Sequence, residues 1–245
     1  MKTQQSSQLL SLLLFALGSA QSYSATVLGN LNEPAAPGDI QVTVDGWRAI
    51  PFMTDDASYS VTSMSAMISA NQNIPGTSDP SYDGLHFAVF DNRDFATEGL
   101  GPGSSIGRLD RDPSSSTLLE QRFTGTIMLQ PQTSYWLVAA VDNGGPSLGF
   151  NWDTASTLDP DSGSAWLFGS DLVGAGSPTD GTNRDFISDN LGSSWTLASG
   201  TFRGYFQVEA VVVPEPSSAM LIGVGAFVLA GIRRRHNIVE SGPRD

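Results

Sequence analysis

The chain has 245 residues, no cysteine, and 25 Asp and Glu against 12 Lys and Arg, a net charge of −13. Such acidity excludes a nucleic-acid-binding surface, which depends on basic side chains neutralising phosphates. Without cysteine and with only two histidines, the sequence also excludes a disulfide-stapled scaffold and a zinc site of the usual kind.

In chain order, the first segment, MKTQQSSQLLSLLLFALGSA, has one positive charge at Lys2, an apolar core from Leu9 to Leu17 and small residues at Gly18 and Ala20. This is the plan of a secretory signal peptide over residues 1–20, too short to span a bilayer stably. Cleavage is expected after Ala20, or after Ser24 with Ser22 and Ser24 as the small residues.

The body, residues 21–213, is 193 residues long, enough for a single domain with a sizeable core. It carries 22 Asp and Glu against 7 Arg and no Lys, a net charge of −15, so the exported part is more acidic than the whole chain. Gly, Ser, Thr, Asp and Pro are abundant, apolar residues come in short alternating runs, and no stretch keeps a helical period over three turns. Strands are predicted near Gln41 to Thr54, Tyr59 to Ala70, Gly84 to Asp91, Leu118 to Leu129, Ser134 to Asp142, Leu148 to Trp152, Ala165 to Phe168 and Thr201 to Val213. Eight short strands with turn-rich links predict an all-β fold, a single jelly-roll-like β-sandwich.

Within it, Leu85, Phe87 and Val89 alternate with His86, Ala88 and Phe90, and both sets are apolar enough to be buried. The run from Tyr135 to Val141 is continuously apolar. Both segments are expected to be central strands. Two long links, Asn92 to Thr117 and Ser170 to Ser194, are expected to be loops, where a local site would sit.

Gly103-Ser104-Ser105-Ile106-Gly107 matches GxSxG, the pattern of a hydrolase nucleophile elbow with Ser105 as nucleophile. An elbow needs a buried strand before it and a helix after it, and the flanking Gly-, Pro- and Arg-rich residues supply neither. The body's single histidine, His86, precedes the serine and falls in a predicted strand, so no catalytic residue is assigned and the body is expected not to be an enzyme. No cofactor is expected. Asp153, Asp159 and Asp161, followed by Asp180, Asp185 and Asp189, are weak calcium candidates, but none follows the twelve-residue EF-hand spacing and surface solvation accounts for them. Of the five tryptophans, Trp47, Trp136, Trp152, Trp166 and Trp195, the pair Trp166 and Trp195 flanks the longest link. These two are the candidate sugar-stacking residues of a carbohydrate-binding module, although core burial is the ordinary role of tryptophan in a sandwich.

The C-terminal stretch has three signals in fixed order: a stiff Pro214-Glu215-Pro216 turn, an uncharged run from Ser217 to Ile232, and Arg233, Arg234 and Arg235. Proline fixes φ, lacks an N–H and restricts its predecessor, so Val213 and Glu215 are held extended. The run's 16 residues would form a transmembrane helix of about 24 Å, short of a hydrocarbon core of about 30 Å. Arginines collect on the cytoplasmic side, which places residues 237–245 inside as a short tail and the body outside.

This order resembles the PEP-CTERM protein-sorting signal of Gram-negative bacteria that make exopolysaccharide, over residues 214–236. The resemblance implies that a membrane-embedded exosortase recognises the segment at the inner membrane, cleaves near Pro214-Glu215-Pro216 and passes the body to the envelope or an exopolysaccharide matrix. The alternative is a plain single-pass tail anchor. In the body, GWRAIPFMTDD, YSVTSMSAMISA, FAVFDNRD, PQTSYWLVAAVD and FNWDTA together resemble the choice-of-anchor R domain. That likeness implies a sandwich and an anchoring context, and no active site.

Overall fold

The computed structural model describes residues 24–32, 35–70, 82, 84–95, 99–114, 120–142, 149–155, 165–168, 186–198 and 204–213. The expected signal peptide, sorting helix and cytoplasmic tail lie outside them. Among the described residues the fold is all-β, and every strand pairing is antiparallel. No helix among them is long and apolar enough to cross a membrane.

The strands are β1 (Ala25–Gly29), β2 (Ala35–Val42), β3 (Trp47–Met53), β4 (Tyr59–Ala70), β5 (Leu85–Phe95), β6 (Gly99–Arg111), β7 (Glu120–Leu129), β8 (Ser134–Val141), β9 (Phe150–Ala155), β10 (Leu167–Phe168), β11 (Phe186–Ser188), β12 (Thr196–Leu197) and β13 (Phe206–Val212). Their main path runs β1-β13-β4-β7-β6-β5-β8-β3-β11-β12. The β4 strand belongs to two sheets: Tyr59 to Met67 pair with β13 and β7, while Ile68 to Ala70 pair with β9, which in turn holds β2.

Strict period-two alternation places the main core. Leu85, Phe87 and Val89 of β5, Tyr135, Leu137, Ala139 and Val141 of β8, and Ile50 and Phe52 of β3 face one cluster, which also holds Trp152, Phe206, Phe123 and Met64. The intervening residues Ala49, Ala88, Phe90, Trp136, Val138 and Ala140 face a second, smaller cluster closed by Phe186 and Trp195. Both faces of β5 and β8 are therefore buried, as their unbroken apolar composition predicts.

Pro51 sits within β3 without breaking a ladder. On one side it lies opposite Trp136 of β8, and on the other it falls between the stretch paired with β11, Trp47 to Ala49, and the stretch paired with β10, Phe52 and Met53. A residue with no N–H is tolerated where a partner strand is interrupted.

Three predicted elements are corrected. The single strand over Gln41 to Thr54 is two strands, turned at Val44 and Asp45, with Thr43 and Gly46 exchanging hydrogen bonds of 3.2 and 3.1 Å. The link Asn92 to Thr117 is largely β structure, because β5 runs on to Phe95 and β6 occupies Gly99–Arg111. Its glycines permit this: a Cβ at Gly103 would lie 2.3 Å from Asp91 Oδ1, and one at Gly107 would lie 2.7 Å from Ile127. The link Ser170 to Ser194 contains β11, whose Phe186 and Ser188 are fully buried; residues 169–185 lie outside the described set.

Candidate functional site

Among the described residues, those singled out from the sequence do not converge. Ser105 is an exposed residue of the extended β6 strand, where its Oγ donates a long 3.5 Å bond to the Gly107 carbonyl. The strand continues through Arg111, so no helix directly follows the serine and the elbow conformation is absent. His86 pairs with Asp110 of β6 while Phe90 pairs with Ser105, which separates the two along the ribbon by four residues of β5, roughly 14 Å.

His86 is 4 % exposed and packs edge-on against Trp47, with ring centroids 5.9 Å apart. Its Nδ1 lies 3.0 Å from the Gly84 carbonyl and 3.6 Å from Asp142 Oδ1. Burial pushes the imidazole pKa below 6.5, outweighing the attraction of Asp142. Asp142 is already committed: Arg108 donates to both its oxygens at 2.8 Å from Nη1 and Nη2, which holds the carboxyl below its ordinary range. The group is a packed histidine beside an ion pair, and Ser105 lies away from it along the ribbon.

Trp166 and Trp195 are 1 % and 4 % exposed. Trp166 stacks on Phe52 at 5.2 Å and meets Tyr59 edge-on, and Trp195 meets Phe90 edge-on at 5.8 Å. In this conformation neither ring offers a face to a pyranose. Their position beside a long link suggested exposure, but the pairing of β10 with Phe52 and the closure of the second core turn both inward.

Of the calcium candidates, Asp159, Asp161, Asp180 and Asp185 lie outside the described residues and Asp189 is exposed. Asp153 stands directly across the β2–β9 ladder from Asp39. Both line an open cleft of about 480 Å³ together with Glu120, Met67, Thr154 and Tyr205. Burial raises the Asp153 carboxyl above its ordinary range and the nearby Asp39 charge adds to the rise. Among the described residues no three carboxylate or imidazole groups are placed to hold a metal ion. The Asp39–Asp153 pairing was not legible beforehand, since a register spanning over a hundred residues has no local signal.

The residues next in sequence to Leu31 and Tyr205 of this cleft show how the body's last strand begins. Asn30, fully buried, donates from Nδ2 to the Gly204 carbonyl at 3.0 Å and accepts from Phe206 N–H at 2.9 Å through Oδ1, while its own N–H reaches the Phe206 carbonyl at 3.0 Å. Trp152 donates to the Tyr205 carbonyl at 2.9 Å, and its indole fills the space that a Cβ on Gly204 would need, 2.3 Å away. From this bend β13 runs along β4 to Val212, and the chain enters the segment with the proline pair.

That segment decides the reading. Residues 212–235 match the family described as the PEP-CTERM protein-sorting motif. The chain carries a PEP-CTERM sorting motif. The matched residues include Pro214, Glu215, Pro216, Arg233, Arg234 and Arg235, and all but Val212 and Val213 lie outside the described set. The PEP-CTERM motif covers a small C-terminal part of the chain and speaks to its sorting, with no bearing on what the β body binds. A comparison with curated proteins finds no match.

Proposed function

We propose that this is an exported, non-enzymatic protein that an exosortase sorts through its C-terminal signal to the cell envelope or an exopolysaccharide matrix. The observation that carries the reading is the sorting-motif match over residues 212–235, in which Pro214-Glu215-Pro216, the short apolar run and Arg233 to Arg235 stand in order. In this reading residues 1–20 are a signal peptide, 21–213 a choice-of-anchor R-like ectodomain, 214–236 the address, with residues 217–232 crossing the inner membrane, and 237–245 a cytoplasmic tail. The arginines halt the run at the cytoplasmic face and the apolar helix holds the chain until cleavage near the prolines frees the body. The partners are the exosortase, the inner membrane during sorting and the exopolysaccharide around the product; no cofactor takes part.

The C-terminal mass of the mature protein from its host tests this. A body ending near Pro214 to Pro216 in the presence of the exosortase, and at Asp245 without it, is expected. A chain ending at Asp245 in both strains would leave a simple tail anchor.

A further inference from the structure

The closing strand of the body and the sorting signal share a residue: β13 is paired through Val212, and the matched motif starts at Val212. Val213 alone separates the last paired residue from Pro214. An enzyme that cleaves a peptide bond must hold the chain extended on both sides of it, and backbone groups already paired in a sheet are not free to be held. We propose that the end of β13 leaves the sheet before the sorting enzyme engages the chain, so that local opening of this strand end sets the rate of processing. The proposal rests on the sorting reading above. The opening makes and breaks no covalent bond; it exchanges sheet hydrogen bonds for those of the enzyme.

The strand is built with a firm part and a loose part. Phe206, Val208 and Ala210 are buried, and Glu209 is fixed by Ser63, which donates to Oε2 at 2.6 Å, and by Arg122, which reaches the same oxygen at 3.0 Å. The firm part has neighbours on both edges, since β1 pairs with Gln207 to Ala210 and β4 with the whole strand. Among the described residues the β1 ladder ends at Ala210, and Val211 and Val212 pair with Ser60 and Tyr59 only. The β4 register also shifts between Glu209 and Ala210, an irregularity that marks where the ladder divides. Val212 is 51 % exposed. Two residues held on a single edge, Val211 partly buried and Val212 half in solvent, open at low cost, and cleavage of a transiently opened segment follows the population of its open form.

The test uses the full chain processed in host membranes that contain the exosortase, following the fraction of mature C terminus with time. An insertion of about six Gly and Ser residues between Val213 and Pro214, reaching roughly 13 Å, frees the cleavage region without touching the sheet. It is expected to speed processing about tenfold. The Ser60→Cys/Val211→Cys pair joins directly opposed residues in a chain with no other cysteine, at a Cα spacing suited to a disulfide. Oxidised, it is expected to process about tenfold more slowly than the same molecule reduced. Wild-type speed in the insertion variant, or equal rates for the oxidised and reduced pair, would overturn the proposal. The Pro214→Ala/Glu215→Ala/Pro216→Ala variant tests the underlying reading separately: if it matures like the wild type, the sorting reading itself fails.

Discussion

The two faces of β3, β5 and β8 carry cores of different construction. The inner one joins side chains from β1 to β9 and β13, and among its largest members Trp152, Trp166, Phe87, Phe123 and Phe206 are fully buried beside aromatic neighbours. The outer one rests on small residues, Ala49, Ala88 and Ala140, over which Trp136, Phe186 and Trp195 lie. Among the described residues its lid is thin, Phe186 of the three-residue β11 and Trp195 just before β12. The inner core holds the sheet in shape, and the outer core lets the middle of that sheet be buried on its second side with little extra chain.

That contrast can be broken or sharpened by substitution. The largest effect is expected from Trp152→Ala, which empties the inner core beside Phe87 and Phe206 and removes the bond to the Tyr205 carbonyl. A loss of about 4 kcal/mol in denaturant unfolding is expected, and less than 1 kcal/mol would mean that the cluster is not the main source of stability. Phe186→Ala, in the outer core against Trp136, should cost about 3 kcal/mol. Hydrogen exchange should show the loss confined to β11, β12 and their partner β3. A uniform rise in exchange that includes β4 and β13 would show that the two cores unfold as one. Asn30→Ala leaves the Gly204 carbonyl and the Phe206 N–H buried without their side-chain partner, at about 2 kcal/mol.

Acid should act first on the outer face. The folded-state pKa of His86 lies below 6.5, so the fold favours the neutral ring. Its contribution is present above pH 6.5 and is lost as pH falls below that value. Asp142 is also lowered, from 3.8, and its contribution persists until more acid pH. A melting-temperature profile of His86→Gln is expected to be flatter between pH 6.5 and 5 than the wild-type profile; identical profiles would remove His86 as the cause. The smallest effect is expected from Asp153→Asn, which relieves the cross-strand pair with Asp39 and should stabilise by roughly 0.5 kcal/mol at neutral pH. Because the folded carboxyl is raised, the wild-type strain is absent at acid pH and grows as pH rises through its titration, so the gain should vanish in acid.

The legible parts of the sequence were those whose signal is local. The limits of β4, Tyr59 to Ala70, and the two buried faces of β5 and β8 follow from period-two alternation and unbroken apolar runs. The sorting motif is a linear order of proline, apolar and basic residues, readable without any fold. The illegible parts depended on neighbours distant in the chain. The β6 strand lacks alternation because Gly103 and Gly107 must leave room for Asp91 and Ile127. The turn at Val44 and Asp45 does have a local signal, Asp45-Gly46, which the β-type residues on either side outweighed. The burial of Trp166 and Trp195 follows from contacts with Phe52 and Phe90, far away in sequence, and β11 gains its place from its register on Trp47 to Ala49.

The pairing of β1 with β13 has a consequence for the order of events during export. Ala25 opposes Ala210, so the first strand of the body to cross a membrane waits for the last before its ladder can form. Until Phe206 to Val212 arrive, β4 also lacks the neighbour that takes up its residues from Tyr59 to Ala66. Pairings of such long range form late in folding. A chain broken off before β13 keeps two strands with open edges and has lost the address as well, so completion of the sheet outside and arrival of the sorting signal in the membrane come together.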